Sequence, residues 1–232
     1  MITRYQIQLR GNMQVTTDDQ ANWIRVSAPL PQELQTLATT YGLPATYLAA
    51  ATDQHENARV EGLNPADQVP GLIVLRYPVE TTSETGFDQY NTVPMTMILL
   101  NDRVITITHD PLQAFDDLAQ QKLSPKPEEF ALEVLWLVLH QFVIAMDKLN
   151  DETKQIERSL GKAAKNTQLY QLMACKKGWC FLMRPWIILV RCLKPYATAS
   201  AFLIRMGTYG GCMMLKLKWS RLKRWFGSPR SC

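Results

Sequence analysis

The sequence predicts an α/β (α+β) fold in which a β-sheet with short helices comes first and a long helical segment follows. Segments with the alternation and β-branched residues of strands recur up to Thr108. Two short helical segments interrupt these strands, and a helical pattern runs from Pro127 to about Ala174. We therefore expect a sheet region, residues 1–122, followed by a helical region, residues 123–174.

Six strands are predicted. Apolar and polar residues alternate in the first two, which should form a hairpin that turns at Gly11-Asn12. Asn101-Asp102 is a turn-forming dipeptide between the last two strands. The predicted strands are Tyr5–Leu9, Met13–Val15, Trp23–Val26, Gly71–Tyr77, Thr92–Leu100 and Val104–Thr108.

Capping signals predict where the short helices begin and end. Pro31 suits a first helical position, Glu33 suits the first turn, and Gly42 suits the end of the same helix. A second short helix is predicted over Pro44–Leu48. Asp110-Pro111 combines a good N-cap with a good first residue, and therefore predicts a third helix start after the last strand.

The long helical region changes character along its length. Glu128 and Glu129 lie at its start, where their negative charges interact favourably with the positive end of the helix dipole. The stretch Phe130–Met146 is apolar almost all round, so we expect it to be buried between the sheet and other helices. Gly161 and Asn166 mark a break, after which a new apolar face begins.

The composition changes abruptly after Ala174. Residues 1–174 hold 13 Lys and Arg and all 21 Asp and Glu, a net charge of −8, whereas residues 175–232 hold 12 Lys and Arg and no acid. All 5 cysteines and four of the 6 tryptophans also lie in this tail. The cysteines lack CxxC spacing, so they indicate neither a disulfide framework nor a zinc site, and a cytoplasmic location is expected.

Neither an export signal nor a membrane span is expected. The amino terminus carries charge and alternation where a secretory signal has an apolar stretch. The most apolar run, Val134–Met146, is interrupted by His140 and Gln141. Its length of about 13 residues is short of the roughly 20 that a membrane-spanning helix needs.

Catalytic motifs are not recognised, and no enzyme activity or resident cofactor is expected. His55, His109 and His140 fall in a predicted loop, a strand end and a core helix, without a nucleophile or ligand at motif spacing. His140 is interpreted as a hydrogen-bonded core histidine, because Ile144 occupies the i+4 position where a zinc site on a helix needs a second ligand.

Three acidic pairs are candidates for holding a hydrated divalent cation: Asp18-Asp19, Asp116-Asp117 and Asp151-Glu152. Adjacent carboxylates on solvated helix faces are common, so the pairs alone do not define a metal site. The metal ligands, if any, stay unassigned.

Several short segments, taken in their order and spacing, carry a family resemblance. They are Trp23-Ile24-Arg25-Val26, the helix with Glu33, the helix near Tyr47-Leu48, Arg59-Val60-Glu61, Leu72-Ile73-Val74-Leu75, Val104-Ile105-Thr106-Ile107-Thr108, and the long helix with Asp147-Lys148-Leu149-Asn150 and Ile156-Glu157. Together they resemble the amino-terminal domain of the CorA family of magnesium and cobalt transporters, over about residues 1–174.

This resemblance implies a mixed β-sheet covered by helices on its faces, followed by long antiparallel helices. Family members continue into two transmembrane helices with a Gly-Met-Asn loop, assemble as homopentamers, and pass Mg²⁺ and related ions such as Co²⁺. The implied function is a cytoplasmic, ion-sensing domain at the inner face of the membrane, truncated before the pore and therefore unable to transport. Mg²⁺ is then a transported or regulatory ion and not a cofactor.

The acid-free tail predicts a shift of reading frame after Ala174. If one base is missing, each restored codon joins the third base of one residue to the first two bases of the next. The genetic code then forces Asp at Trp186-Ile187 and at Met213-Met214. With permitted codons, Met213–Trp225 reads DVKVEVEQAKAM, which resembles the family's stalk pattern D-V-x-x-E-x-x-Q-A-x-x-M. Residues 175–232 are therefore expected to be out of frame and disordered.

A second hypothesis gives the tail a function. Lys216–Phe226 is basic and aromatic, and such a segment binds anionic lipid or nucleic acid nonspecifically. The chain would then be a soluble binding or regulatory protein. The transporter-domain hypothesis is preferred, and no specific nucleic-acid partner is expected.

Overall fold

A seven-stranded β-sheet forms the middle layer of the protein. The computed structural model describes residues 1–8, 13–17, 20–63, 69–121, 123–159 and 166–197, with the backbone alone at residues 159, 186 and 189–197. Along the chain the strands are β1 (Ile2–Ile7), β2 (Met13–Val15), β3 (Trp23–Ser27), β4 (Arg59–Glu61), β5 (Gly71–Thr82), β6 (Asp88–Leu99) and β7 (Val104–Thr108).

The sheet is mixed, as the resemblance implied. Across the sheet the strand order is β2-β1-β3-β7-β6-β5-β4. Strands β3 and β7 run parallel, with Trp23 opposite Val104 and Ser27 opposite Thr108. The other neighbouring pairs of described strands run antiparallel.

Six of these strands were predicted, and the structure corrects their extent. Strand β4 is an addition, and β5 and β6 are each 12 residues long. Their hairpin is closed at the tip by a hydrogen bond from the Ser83 N–H to the Phe87 carbonyl (2.7 Å), with Gly86 at a φ of 81°. The polar residues near this tip hid the continuation, because they lack the apolar alternation by which strands are recognised.

The described helices are α1 (Pro31–Tyr41), α2 (Ala45–Thr52), α3 (Gln113–Leu118), α4 (Pro127–Ser159) and α5 (Asn166–Ala197). The predicted signals of α1 are confirmed. The Glu33 carboxylate accepts the Leu30 N–H (2.8 Å), and Gly42 ends the helix in the left-handed region. The predicted start of α3 at Asp110-Pro111 is wrong, because Leu112 is extended and serves as the N-cap residue.

Helices α1 and α2 cover one face of the sheet. Leu34 and Leu37 of α1 and Tyr47 of α2 pack with the side chains that strands β3 and β7 direct to this face, among them Ile24 and Ile107. The Tyr47 hydroxyl also donates a hydrogen bond to the Pro70 carbonyl (2.7 Å), which satisfies its polar atom at the edge of the core.

Helices α3 and α4 cover the other face, where Trp23 is fully buried. Its ring centroid lies 6.1 Å from that of Phe115 in α3 and 5.0 Å from that of Phe130 in α4. Its indole N–H donates to the Thr106 hydroxyl (2.9 Å), so burial leaves this donor satisfied. Truncating so large a buried aromatic side chain typically costs about 3–5 kcal/mol.

The long helical region is an antiparallel pair of helices. Cys175 of α5 lies beside Glu152 of α4 (Sγ to Oε2, 4.0 Å), and Gly178, further along α5, faces Leu149, which comes earlier in α4. The predicted break between the helices falls on residues 160–165, which lie outside the described residues.

The packed part of the chain continues past the predicted boundary at Ala174. Residues Met1–Ile188 form one compact unit, and residues 189–232 form a second, of which only the end of α5 is described. Cys175 and Leu182 are buried. Disorder was predicted for residues 175–232; residues 175–197 belong to helix α5, and residues 198–232 lie outside the described residues.

One described helix, Pro127–Arg158, is long and apolar enough to cross a membrane. Its most apolar window is 56% buried inside the protein, as is usual for the core helix of a soluble domain.

A substitution at Gly178 tests whether α5 packs against the rest of the protein. A Cβ at this position would lie 3.2 Å from the Tyr90 nitrogen and 3.3 Å from Leu149 Cδ1. We expect Gly178→Leu to lower the free energy of unfolding by about 1–3 kcal/mol, because the larger side chain overpacks this contact. Urea denaturation followed by circular dichroism measures the change.

Lys176→Leu is the matched control, since Lys176 is exposed on the same helix. It should leave the unfolding midpoint nearly unchanged. Equal stability of the Gly178→Leu and Lys176→Leu proteins would show that α5 is not docked at this point.

Candidate functional site

The three acidic pairs proposed from the sequence meet different surroundings. Asp116 forms an ion pair with Arg25, whose side chain is nearly buried beneath α3. Asp117 lies near Tyr77, where burial, with a smaller contribution from Asp117, raises the pKa of the tyrosine to about 12. This pair therefore serves the packing of α3 on the sheet. Asp18-Asp19 lies outside the described residues.

The third pair divides between two roles. Asp151 is exposed and pairs with Lys154 one turn later in α4 (3.1 Å), a type of contact that contributes little. Glu152 instead points toward the β5–β6 hairpin and lines a cleft of about 520 Å³. We call this the acid-rich cleft. Its lining residues are Phe87, Asp88, Glu152, Gln155, Ile156, Gln171 and Cys175.

Negative charge accumulates around Glu152. Burial raises the pKa of Glu152, Lys148 opposes this shift, and Asp88 and Glu80 add to it. The Cys175 thiol lies 4.0 Å from the Glu152 carboxylate, and burial, followed by this carboxylate, raises the pKa of Cys175. Ionised Glu152 is thus held in surroundings that disfavour its charge.

Lys148 is the counter-charge of this cluster. Its ammonium group lies 2.5 Å from the Glu80 carboxylate and 5.9 Å from the centre of the Tyr90 ring. The hydrogen bond to Glu80 is the main reason that the pKa of Lys148 is raised. The contact joins α4 to β5 across the tip of the long hairpin.

The cleft can attract a cation but does not enclose one. Among the described residues, no three His, Cys, Asp or Glu side chains lie close enough together to hold a metal ion. Mg²⁺ commonly keeps several of its waters and uses only one or two protein carboxylates. The cleft offers two carboxylates, those of Glu152 and Asp88, which matches that number of protein ligands.

The histidines take no part in this cleft. His55 and His109 lie in a loop and after a strand, as expected. The interpretation of His140 as a core residue is wrong. It is exposed on α4 and stacks on Trp136, with ring centroids 5.9 Å apart and planes at 14°. The apolar segment around His140 is a helix with one side exposed to solvent. Counting apolar residues along the sequence does not reveal which side is exposed.

The sequence contained Asp151-Glu152 as a candidate but gave no reason to prefer Glu152. Its neighbours Glu80 and Asp88 are distant in the chain, and both belong to the part of the hairpin that was not predicted. The 3.6-residue period of α4 was the usable signal, because it places Lys148 and Glu152 one turn apart on one face.

The architecture just described is that of the soluble domains of divalent-cation transporters. The complete CorA magnesium transporter from Methanocaldococcus jannaschii matches with a TM-score of 0.67 and 16% identity, covering 85% of this chain and 63% of that one. The soluble domain of CorA from the same organism matches with a TM-score of 0.65 and 18% identity, covering 83% and 77%.

A further similar structure is the ZntB cytoplasmic domain from Vibrio parahaemolyticus, with a TM-score of 0.66, 10% identity, and coverage of 91% of this chain and 84% of that one. No protein of curated function matches the sequence. Residues 18–198 match the family described as CorA-like Mg2+ transporter protein, and the chain belongs to this family. The match extends past Ala174, where the resemblance had been expected to end.

Glu152 provides a pH test of the cleft. Its pKa is raised above the ordinary value of 4.5, so the folded protein binds this proton more tightly than the unfolded chain does. The stability that protonation gives is present at low pH and is lost as the pH rises through the folded-state pKa. We therefore expect Glu152→Gln to be more stable than the unaltered protein near pH 7, with the difference fading below about pH 4.5.

Urea midpoints at both pH values measure this difference. Glu157→Gln, at an exposed position of the same helix, controls for the substitution itself. A Glu152→Gln protein that is less stable than the unaltered protein at neutral pH would contradict the electrostatic description.

Proposed function

We propose that this chain supplies the cytoplasmic, ion-sensing domain of a CorA-type divalent-cation transporter. The observation that supports this most is the family match over residues 18–198, which coincides with a fold shared with transporter soluble domains. The complete transporter would pass Mg²⁺ and related ions such as Co²⁺ down their electrochemical gradient. Its domain would lie at the inner face of the cell membrane and assemble as a homopentamer.

The acid-rich cleft supplies the sensing chemistry in this proposal. Burial is the main reason that the pKa of Glu152 is raised, and a divalent cation near Glu152 and Asp88 would offset both this burial of charge and the repulsion from Asp88 and Glu80. Because these residues belong to α4 and to the β5–β6 hairpin, the cation would also tighten the contact between helix and sheet. The family is one of transporters, and no catalytic role is proposed.

Residues 1–232 are proposed to form no ion pathway by themselves. The one described helix that could cross a membrane is α4, and more than half of its apolar window is occupied by contacts within the domain. The chain spans 63% of the length of the complete magnesium transporter. Transport is therefore a proposal for the assembled transporter.

A fusion protein tests the proposal. Residues 1–197 joined to the membrane segments of the Methanocaldococcus jannaschii transporter should restore growth and Mg²⁺ uptake in cells that lack magnesium uptake systems. The chain of residues 1–232 alone should restore neither. Uptake of Mg²⁺ by the whole cells, measured over time at low external Mg²⁺, gives the result.

The sensing role is tested in the same fusion. Asp88→Asn with Glu152→Gln should leave uptake active at Mg²⁺ concentrations that shut down the unaltered fusion. Asp151→Asn, beside the cleft but paired with Lys154, is the matched control and should behave as the unaltered fusion does. Equal restoration by an unrelated soluble domain would contradict the proposed function.

The shift of reading frame predicted after Ala174 stays a prediction from the sequence, and the family match in the present frame up to residue 198 argues against it. The acid-free composition of residues 175–232 supports it, whereas the packing of Gly178 and Leu182 makes residues 175–188 part of the compact unit. Sequencing the coding DNA across this junction decides the point: one missing base, with an acid-bearing stalk once it is restored, would confirm the shift. Confirmation of the present frame would assign residues 175–188 to the native domain.

The alternative in which a basic tail binds membranes or nucleic acid rests on Lys216–Phe226. This segment lies outside the described residues, so that function stays a prediction from the sequence.

A further inference from the structure

A second cleft, of about 590 Å³, is lined in part by α5, the helix that also contributes to the acid-rich cleft. Residues of the α2–β4 connection, of β5 and β6, of the segment after β7 and of α5 line it. Its volume falls within the range of about 300–1,000 Å³ that is usual for small-molecule sites. None of the residues assigned to the acid-rich cleft contributes to it. We call it the donor-rich cleft.

Arg76 fixes a positive charge in the wall of this cleft. It is half-buried, and its guanidinium donates to the Thr92 hydroxyl (2.8 Å), to the Thr92 carbonyl, and to the Glu56 (2.8 Å) and Gln54 (3.2 Å) carbonyls. These bonds use four of the five N–H groups and hold the side chain in place.

Arg76 forms no ion pair with a carboxylate of the described residues. Burial lowers the pKa of Arg76, and Asp53, acting at a distance, partly offsets this. A guanidinium stays charged in proteins regardless, so this half-buried charge favours an anion beside it.

Helix α5 forms the facing wall with a basic and aromatic stripe. Phe181 and Arg184 both line the cleft, and Lys177 lies one turn before Phe181 on the same helix face. The Phe181 ring is 38% exposed, and the Lys177 ammonium lies 5.9 Å from its centre. Arg184 is exposed and forms no ion pair with any described residue.

The remaining lining adds donors and little negative charge. Asp110 is the acidic residue among those that line the cleft, and it contacts His109 (3.4 Å) at the exposed rim. His55 and Asn57 contribute further polar groups, whereas Pro94 and Pro185 add apolar surface. The cleft therefore combines two guanidinium groups with an open aromatic face.

We propose that the donor-rich cleft binds a small anion that carries a planar ring, of the chemical class of the nucleoside phosphates. The ring stacks on Phe181, a contact that aromatic side chains make with any nucleobase. The phosphate accepts hydrogen bonds from Arg184 and from the remaining N–H of Arg76, because guanidinium groups match phosphate oxygens in geometry and charge. This inference concerns a site apart from the proposed cation sensing.

Isothermal titration of the full 232-residue chain at physiological salt tests the proposal, with adenosine monophosphate, adenosine and inorganic phosphate as probes. Adenosine monophosphate should bind at least about tenfold more tightly than either other probe, because only it satisfies the aromatic and the basic wall together. Adenosine monophosphate that binds no better than phosphate would overturn the assignment to a ring-bearing anion.

Two variants locate the binding. Arg184→Gln and Phe181→Ala should each weaken binding of adenosine monophosphate by about tenfold. Arg184→Gln should also reduce its advantage over adenosine, and Phe181→Ala its advantage over phosphate. Both side chains are exposed, so folding should be retained, and far-ultraviolet circular dichroism checks this.

Matched controls distinguish the cleft from general attraction to a basic chain. Arg158→Gln on α4 and Tyr170→Ala on α5 make similar changes at exposed positions that do not line the cleft. Both should bind as the unaltered protein does. Equal losses in the variants and controls, unchanged binding in Arg184→Gln, or no heat of binding at millimolar adenosine monophosphate would each overturn the proposal.

Discussion

The architecture depends on the burial of strand β3 on both of its faces. Ile24 and Val26 face α1 and α2, while Trp23 faces α3 and α4. A strand covered on each side needs a helical layer on each side, which fixes the three-layer arrangement. Because Trp23 contacts Phe115 and Phe130 together, one side chain holds both helices of the second layer to the sheet.

The long β5–β6 hairpin turns this packing into a charged site. It reaches beyond the core and brings Glu80 and Asp88 to α4, beside Glu152. Lys148 offsets part of the resulting repulsion through its contact with Glu80. Carboxylates gathered in this way destabilise a domain unless something neutralises them, and such clusters are typical of sites that respond to protons or cations.

Helix α5 connects this site with the rest of the domain. One face packs on α4 and the hairpin through Cys175, Gly178 and Leu182, and another face carries Phe181 and Arg184 into the donor-rich cleft. Both clefts therefore share one helix. A change in how α5 is seated on the sheet would alter the two clefts together.

By itself, the sequence determined the strands with clear alternation, the cap residues of α1, the long helical region and the family. Those signals are local, since alternation, capping and segment order are read along the chain. The tertiary structure alone decided that Glu152 is crowded by carboxylates, that His140 is exposed, and that Gly178 meets Leu149. These outcomes depend on contacts between segments that are distant in the chain. Such contacts cannot be inferred from the residues next to a given position in the sequence.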